Sequence, residues 1–207
     1  MHALTWIYFR PGLALIALWL AWAVSWFAAS VWSSRAEKRP GLGKELWYRL
    51  VLAAGGLIFA VPSSRPGQIR LWPLMNLPAV WACIAVAFLG FAFTWWARIY
   101  LGDLWSGWVT KKTDHRIVDS GPYGIVRHPI YTGLLLAALA TMVAKGTLFG
   151  LTGALVIILG IWMKARLEEQ FLRGELDPEA YDSYRRRVPM LVRSVQNRPD
   201  NRCAFPL

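Results

Sequence analysis

Two stretches of the chain hold side chains whose types and spacing allow chemistry. The first, Arg98–His128, is the longest polar connection and carries Asp103, Trp105, Trp108, Asp114, His115, Asp119, Arg127 and His128. Within it, Gly121-Pro122-Tyr123-Gly124 is a turn signal. His128-Pro129-Ile130-Tyr131 then opens a helix, with Pro129 in the first turn and His128 at the capping position. N–H groups at such a helix start favour an anion or a carbonyl oxygen. The second stretch is Lys164-Ala165-Arg166-Leu167-Glu168-Glu169, where Lys164 and Glu168 are four apart and share a helix face. Taken alone, Glu168 and Glu169 read as a solvated pair. Beside His128, Tyr131 and Arg127 they become a candidate site, with His115 and His128 as the possible general bases.

The elements that must bring these stretches together are apolar. Five runs lack Asp, Glu, Lys and Arg: Pro11–Ser34, Leu50–Ser64, Leu71–Ala97, Pro129–Ala144 and Gly146–Met163, of 24, 15, 27, 16 and 18 residues. A bilayer span takes about 17–25 apolar residues, and flanking basic side chains snorkel to extend a short run. The composition, 56% apolar and 17% charged, excludes disorder, collagen, coiled coil and a disulfide scaffold. The expected fold is an all-α integral membrane protein with five transmembrane helices, a cytoplasmic catalytic loop and a C-terminal interfacial helix. The first run is too long for a signal core and reads as an anchor. The link Lys145–Thr147 between the last two runs makes them an antiparallel hairpin. The start of the fourth span and the end of the fifth then meet at one depth, and Arg127, His128 and Tyr131 face Lys164, Glu168 and Glu169.

Charge sets the orientation. Of 23 Lys and Arg, 19 fall on the side that holds the 98–128 loop and the C-terminal segment, together with all 12 acidic residues. Basic residues favour the cytoplasm. The N-terminus is therefore expected outside and the C-terminus and candidate site in the cytoplasm. The net charge of +11 fits this orientation and attraction to anionic lipid, and no soluble basic domain calls for nucleic acid. Cys83 and Cys203 form no metal set. Trp32, Trp47, Trp72, Trp95 and Trp96 fall near span ends, where indoles favour the interface. Asp177-Pro178-Glu179 starts a further helix whose Tyr181, Tyr184 and Arg185–Arg187 should lie over the site.

Gly121-Pro122-Tyr123, Val126-Arg127-His128-Pro129-Ile130-Tyr131-Thr132-Gly133, Glu168-Glu169, Leu172, Tyr181 and Tyr184 resemble the core of the isoprenylcysteine carboxyl methyltransferase family. Upstream, Leu101-Gly102 and Trp105-Ser106 resemble its bacterial branch. The resemblance implies methyl transfer from S-adenosyl-L-methionine. It implies cofactor contacts from His115, Ile117, Val118, Tyr123, His128, Pro129, Tyr131 and Glu168, and catalytic or substrate-side roles for Lys164, Arg127 and Glu169. Eukaryotic members carry an arginine where this chain has Lys164, which keeps the charge and loses the planar fork for a carboxylate.

Residues 1–97 are thus expected to form a three-span region, 98–193 the methyltransferase core and 194–207 a polar tail. The acceptor would be a lipophilic molecule or lipidated group, with a carboxylate, thiol or similar function, met at the cytoplasmic face of a bacterial inner membrane. A nicotinamide-dependent membrane reductase and a non-enzymatic transport protein are the alternatives. Against transport, the spans hold almost no mid-membrane ionisable groups.

Overall fold

The computed structural model describes residues 11–29, 36–38, 42–73, 75–102, 111–112, 118–175 and 177–192. Residues 103–110 and 113–117 of the 98–128 loop, His115 and Ile117 among them, and the tail from 193 lie outside them. Among the described residues the architecture is helical: α1 Pro11–Ala28, α2 Leu42–Ala60, α3 Leu77–Leu101, α4 Pro122–Ile125, α5 Pro129–Lys145, α6 Leu148–Glu175 and α7 Pro178–Arg187. One small antiparallel ladder joins β1 Ala36–Lys38 to β2 Lys111–Lys112, a pairing that the all-α expectation did not contain.

Each charge-free run carries a helix. By length and composition α1, α3 and α6 can each cross a membrane, whereas α5 is apolar but shorter and α2 opens on charged turns. The start of α3 obeys local rules: the Asn76 side chain accepts from the Ala79 N–H at 3.0 Å, and proline occupies the first turn. At 28 residues, α6 continues 12 residues beyond the apolar run that ends at Met163. That projection carries Lys164, Glu168 and Glu169 out of the apolar zone.

The tight link places α5 and α6 antiparallel, yet each packs most extensively elsewhere, α5 on α3 and α6 on α2. Glycines explain the partner choice. A Cβ on Gly133 of α5 would fall 2.4 Å from the Gly90 oxygen of α3. On Gly153 of α6 it would fall 2.5 Å from the Phe59 nitrogen of α2. Small residues let helix backbones approach where lipid offers no hydrophobic drive for association.

The tryptophans do more than mark the interface. Trp19 and Trp22 of α1 pack on Phe91 of α3, at 4.9 Å edge-on and 5.3 Å stacked. Their indole N–H groups donate to Thr141 Oγ1 (3.1 Å) and Thr94 Oγ1 (2.8 Å). The interior of the α1–α3–α5 contact is therefore aromatic and its polar atoms are paired, as buried indoles require. At the other end of this contact, buried Arg98 donates to the Ala29 carbonyl and lies 4.9 Å from the Trp26 ring.

Candidate active site

The site is built where the start of α5 meets the projecting end of α6. Gly121, at φ +56°, lies against the Tyr100 ring and turns the chain into the single turn of α4. Val126 and Arg127 then lead to His128, the N-cap of α5. No side chain caps this helix. Part of the expected demand for a carbonyl is met by the chain itself. The segment after α7 supplies Pro189 O to the Arg127 N–H (2.8 Å) and Met190 O to the His128 N–H (3.1 Å). Thr132 Oγ1 donates to Leu191 O at 2.6 Å. This strap was not legible in the sequence.

His128 sits at the centre, 9% exposed, its ring stacked on Tyr131 with centroids 5.3 Å apart. Its Nδ1 lies 3.5 Å from Glu168 and its Nε2 3.4 Å from Glu169. Burial alone would lower the His128 pKa. The two carboxylates outweigh burial and raise it above its ordinary 6.5. Tyr131 donates its hydroxyl to Glu168 at 2.5 Å. Tyr123, buried in α4, has its phenol pushed up first by burial and then by the Glu168 charge.

Arg127 and Glu169 form a second, structural unit. The guanidinium meets Glu169 Oε1 at 2.7 Å through Nη2 and at 2.8 Å through Nε. Its Nη1 donates to the carbonyls of Arg185 (3.0 Å) and Val188. This pair therefore ties the end of α7 to the site. Tyr184 adds a hydrogen bond to the Tyr123 carbonyl at 2.8 Å, and Arg187 meets Asp119 at 3.1 Å. The expectation that α7 lies over the site is met by these contacts, and Asp177 caps that helix by accepting from the Glu179 N–H. The Tyr184 and Tyr181 phenols are both raised chiefly by burial.

Of the expected cofactor residues, His128, Pro129, Tyr131, Tyr123 and Glu168 converge, and Val118 is half-buried at the edge of the described segment. Lys164 also belongs to the cluster, with Nζ 5.2 Å from the Tyr131 ring centroid and 5.9 Å from that of Tyr48. Tyr48, Glu45 and Arg49 of α2 were missed. Their i, i+3, i+4 spacing places them on one face of that helix, and Arg49 meets Glu45 at 3.0 Å. That spacing was visible in the sequence, but nothing there showed that the face turns toward α6.

A helical membrane protein with paired carboxylates, a histidine and stacked aromatics at one helical junction is the class that this fold and site define. Residues 81–172 match the isoprenylcysteine carboxyl methyltransferase (ICMT) family. The chain is 42% identical to methanethiol S-methyltransferase 2 of Bradyrhizobium diazoefficiens, over 72% of this chain and 64% of that one. It is 39% identical to methanethiol S-methyltransferase of Pseudomonas deceptionensis, over 37% and 28%. Protein-S-isoprenylcysteine O-methyltransferase of Schizosaccharomyces pombe is 31% identical, over 45% and 40%. The region that carries α5 and most of α6 thus belongs to the isoprenylcysteine carboxyl methyltransferase family. The chain spans less than two thirds of the length of these relatives.

Proposed function

We propose that the protein is an integral-membrane methyltransferase that uses S-adenosyl-L-methionine at the cytoplasmic interface and methylates a lipophilic thiol. The observation that carries this reading is the Glu168 carboxylate, held by the Tyr131 hydroxyl at 2.5 Å and faced by His128 at 3.5 Å. The residues fit the cofactor by chemistry. Glu168 offers an acceptor for an ammonium or a ribose hydroxyl, and Tyr123, His128 and Tyr131 offer ring faces for adenine and for a sulfonium. His128 Nε2 is buried without a hydrogen bond of normal geometry, which leaves polar capacity in the site.

When bound, the cofactor supplies an electrophilic methyl group, so the protein's part is to align the acceptor and stabilise its charge. Lys164 supplies positive charge beside Tyr131, next to the cofactor residues. Arg127 and Glu169 act as positioning residues by holding α7 and the strap over the site. Among the relatives, two bear names for methanethiol methylation, and a lysine offers a point charge rather than the fork that suits a carboxylate.

In this reading α1, α2, α3, α5 and α6 are the five spans, with the N-terminus outside, the C-terminus in the cytoplasm and 98–193 as the catalytic core. Reporter fusions at the two ends test the topology. Titration of the purified protein with S-adenosylhomocysteine, followed by transfer of a labelled methyl group to alkanethiols, tests the activity. Lys164→Ala should retain cofactor binding and lose turnover. Binding of a nicotinamide dinucleotide with no response to S-adenosylhomocysteine would establish a reductase instead.

A further inference from the structure

Helix α2 enters the site in a register that glycines fix. Phe59 lies against Gly153 and Leu52 against Gly160, where added Cβ atoms would fall 2.5 and 2.7 Å from the facing atoms. One turn beyond Leu52, the same antiparallel register sets Tyr48 against Lys164, as the 5.9 Å separation of Nζ and ring centroid records. Glu45 follows one turn further along α2, with Oε2 held by Arg49 at 3.0 Å. Tyr48 and Glu45 are only 3% and 2% exposed. Yet Glu45 Oε1 and the Tyr48 hydroxyl have no hydrogen bond of normal geometry among the described residues, and the one donor close to that hydroxyl, Arg49, can only give to its oxygen, so no acceptor meets the phenol's own proton. A buried polar atom left unpaired carries an uncompensated desolvation cost. Such a cost, beside a buried ammonium and in a tightly registered helix pair, points to a ligand that completes the bonding.

We propose that Tyr48 is the acceptor-binding residue of this site, and that its hydroxyl donates to the sulfur of a small alkanethiolate held beside the Lys164 ammonium. The proposal rests on the methyltransferase reading and adds the wall on which the acceptor sits. One hydroxyl and one ammonium match an anion centred on a single atom. A carboxylate would set its second oxygen among Glu45 and Glu168, with Arg49 already engaged by Glu45. The thiol gives up its proton to solvent on binding, and the two donors stabilise the resulting charge. Tyr131, Glu168, Glu45 and Arg49 are the other polar groups around this point.

The test uses the full chain in detergent, loaded with S-adenosylhomocysteine and titrated with ethanethiol or with N-acetyl-S-farnesylcysteine. Tyr48→Phe keeps the ring against Lys164 and removes only the hydroxyl. The expected result is ethanethiol affinity about tenfold weaker in Tyr48→Phe, the loss of one hydrogen bond, with S-adenosylhomocysteine affinity unchanged. In turnover, KM for ethanethiol should rise by the same factor while kcat changes less. Tyr48→Leu, which also removes the ring, should weaken ethanethiol at least as much. Unchanged ethanethiol affinity in Tyr48→Phe overturns the proposal. So does a wild-type protein that binds only the farnesylated probe, or an equal loss of S-adenosylhomocysteine. A wild-type protein that binds no S-adenosylhomocysteine fails at the earlier step, and the methyltransferase reading falls with the proposal.

Discussion

The α5–α6 hairpin has two ends, and they differ in what their buried polar atoms are doing. At the Gly146 end, Lys145 donates to the Phe59 and Val61 carbonyls that close α2, and Trp72 Nε1 donates to Val143 O at 3.1 Å. Leu71 N–H meets Gly146 O and Leu148 N–H meets Ile69 O, both at 2.9 Å. Among the described residues there, the buried side-chain polar atoms other than Gln68 Oε1 are matched within the fold. At the His128 end, the Tyr48 hydroxyl, Glu45 Oε1 and His128 Nε2 are buried without such partners among the described residues, within a cluster of opposed charges. One end spends its polar groups on holding helices together. The other retains unsatisfied capacity at some cost in stability, as binding sites do. Substitutions at the two ends should therefore separate stability from affinity.

The largest expected effect lies at the seam between these behaviours. Arg127 and Glu169 have side chains only 9% and 5% exposed. Removing one partner of a buried ion pair costs about 3–5 kcal/mol, because the other charge is left uncompensated. Arg127→Met also deprives the end of α7 of two hydrogen bonds. It should lower the thermal midpoint in detergent and expose α7 to limited proteolysis. A variant as stable as wild type, with α7 still protected, would remove the structural role given to this pair.

Glu168→Gln should act mainly on affinity. It removes the charge that Tyr131 and His128 address, and should weaken S-adenosylhomocysteine by about 1.5–3 kcal/mol if the carboxylate makes a charged hydrogen bond. Calorimetry measures this directly. Equal affinity in wild type and variant would move the cofactor away from this carboxylate and blur the contrast between the two ends.

What the sequence revealed follows from the range over which its signals act. Helix starts at Pro129 and Pro178 were readable, because His128 and Asp177 with the prolines that follow them act locally. The meeting of His128 and Tyr131 with Lys164 and Glu168 was also readable, since a three-residue link constrains both helices. The preference of α6 for α2 was not, because it rests on Gly153, Gly160 and Gly55 meeting particular residues of another helix. Tyr48 and Glu45 were overlooked for the same reason. The strap Pro189–Leu191 has no motif at all, since its bonds to Arg127, His128 and Thr132 run through backbone carbonyls that any sequence possesses.

The Gly146 end offers the converse test at smaller magnitude. Gly146 ends α5 at φ +59°, with its α-carbon beside the Trp72 indole. A side chain in this left-handed region costs about 1–2 kcal/mol, and a Cβ would fall 2.7 Å from Trp72 Nε1. Gly146→Ala should lower the thermal midpoint and leave S-adenosylhomocysteine affinity unchanged. If affinity falls as well, the hairpin transmits strain along its length and the two ends are not independent.

The smallest expected effect is a dependence on pH, and it identifies which charges the His128 end holds. Glu168 and Glu169 raise His128 above 6.5 against the opposing effect of burial. A group whose pKa is higher in the folded state binds its proton more tightly there, so it stabilises the fold at pH values below its unfolded pKa. That contribution disappears as pH climbs through the folded value. The thermal midpoint of the wild-type protein should therefore decline from about pH 6.5 upward, relative to His128→Gln. Comparing the two proteins cancels every other titrating group that the substitution leaves alone. If wild type instead gains stability over the variant as pH rises through this window, the imidazole is held neutral in the fold. The histidine would then be a hydrogen-bonding group between the glutamates, and the charge balance assigned to the site would be wrong by one proton.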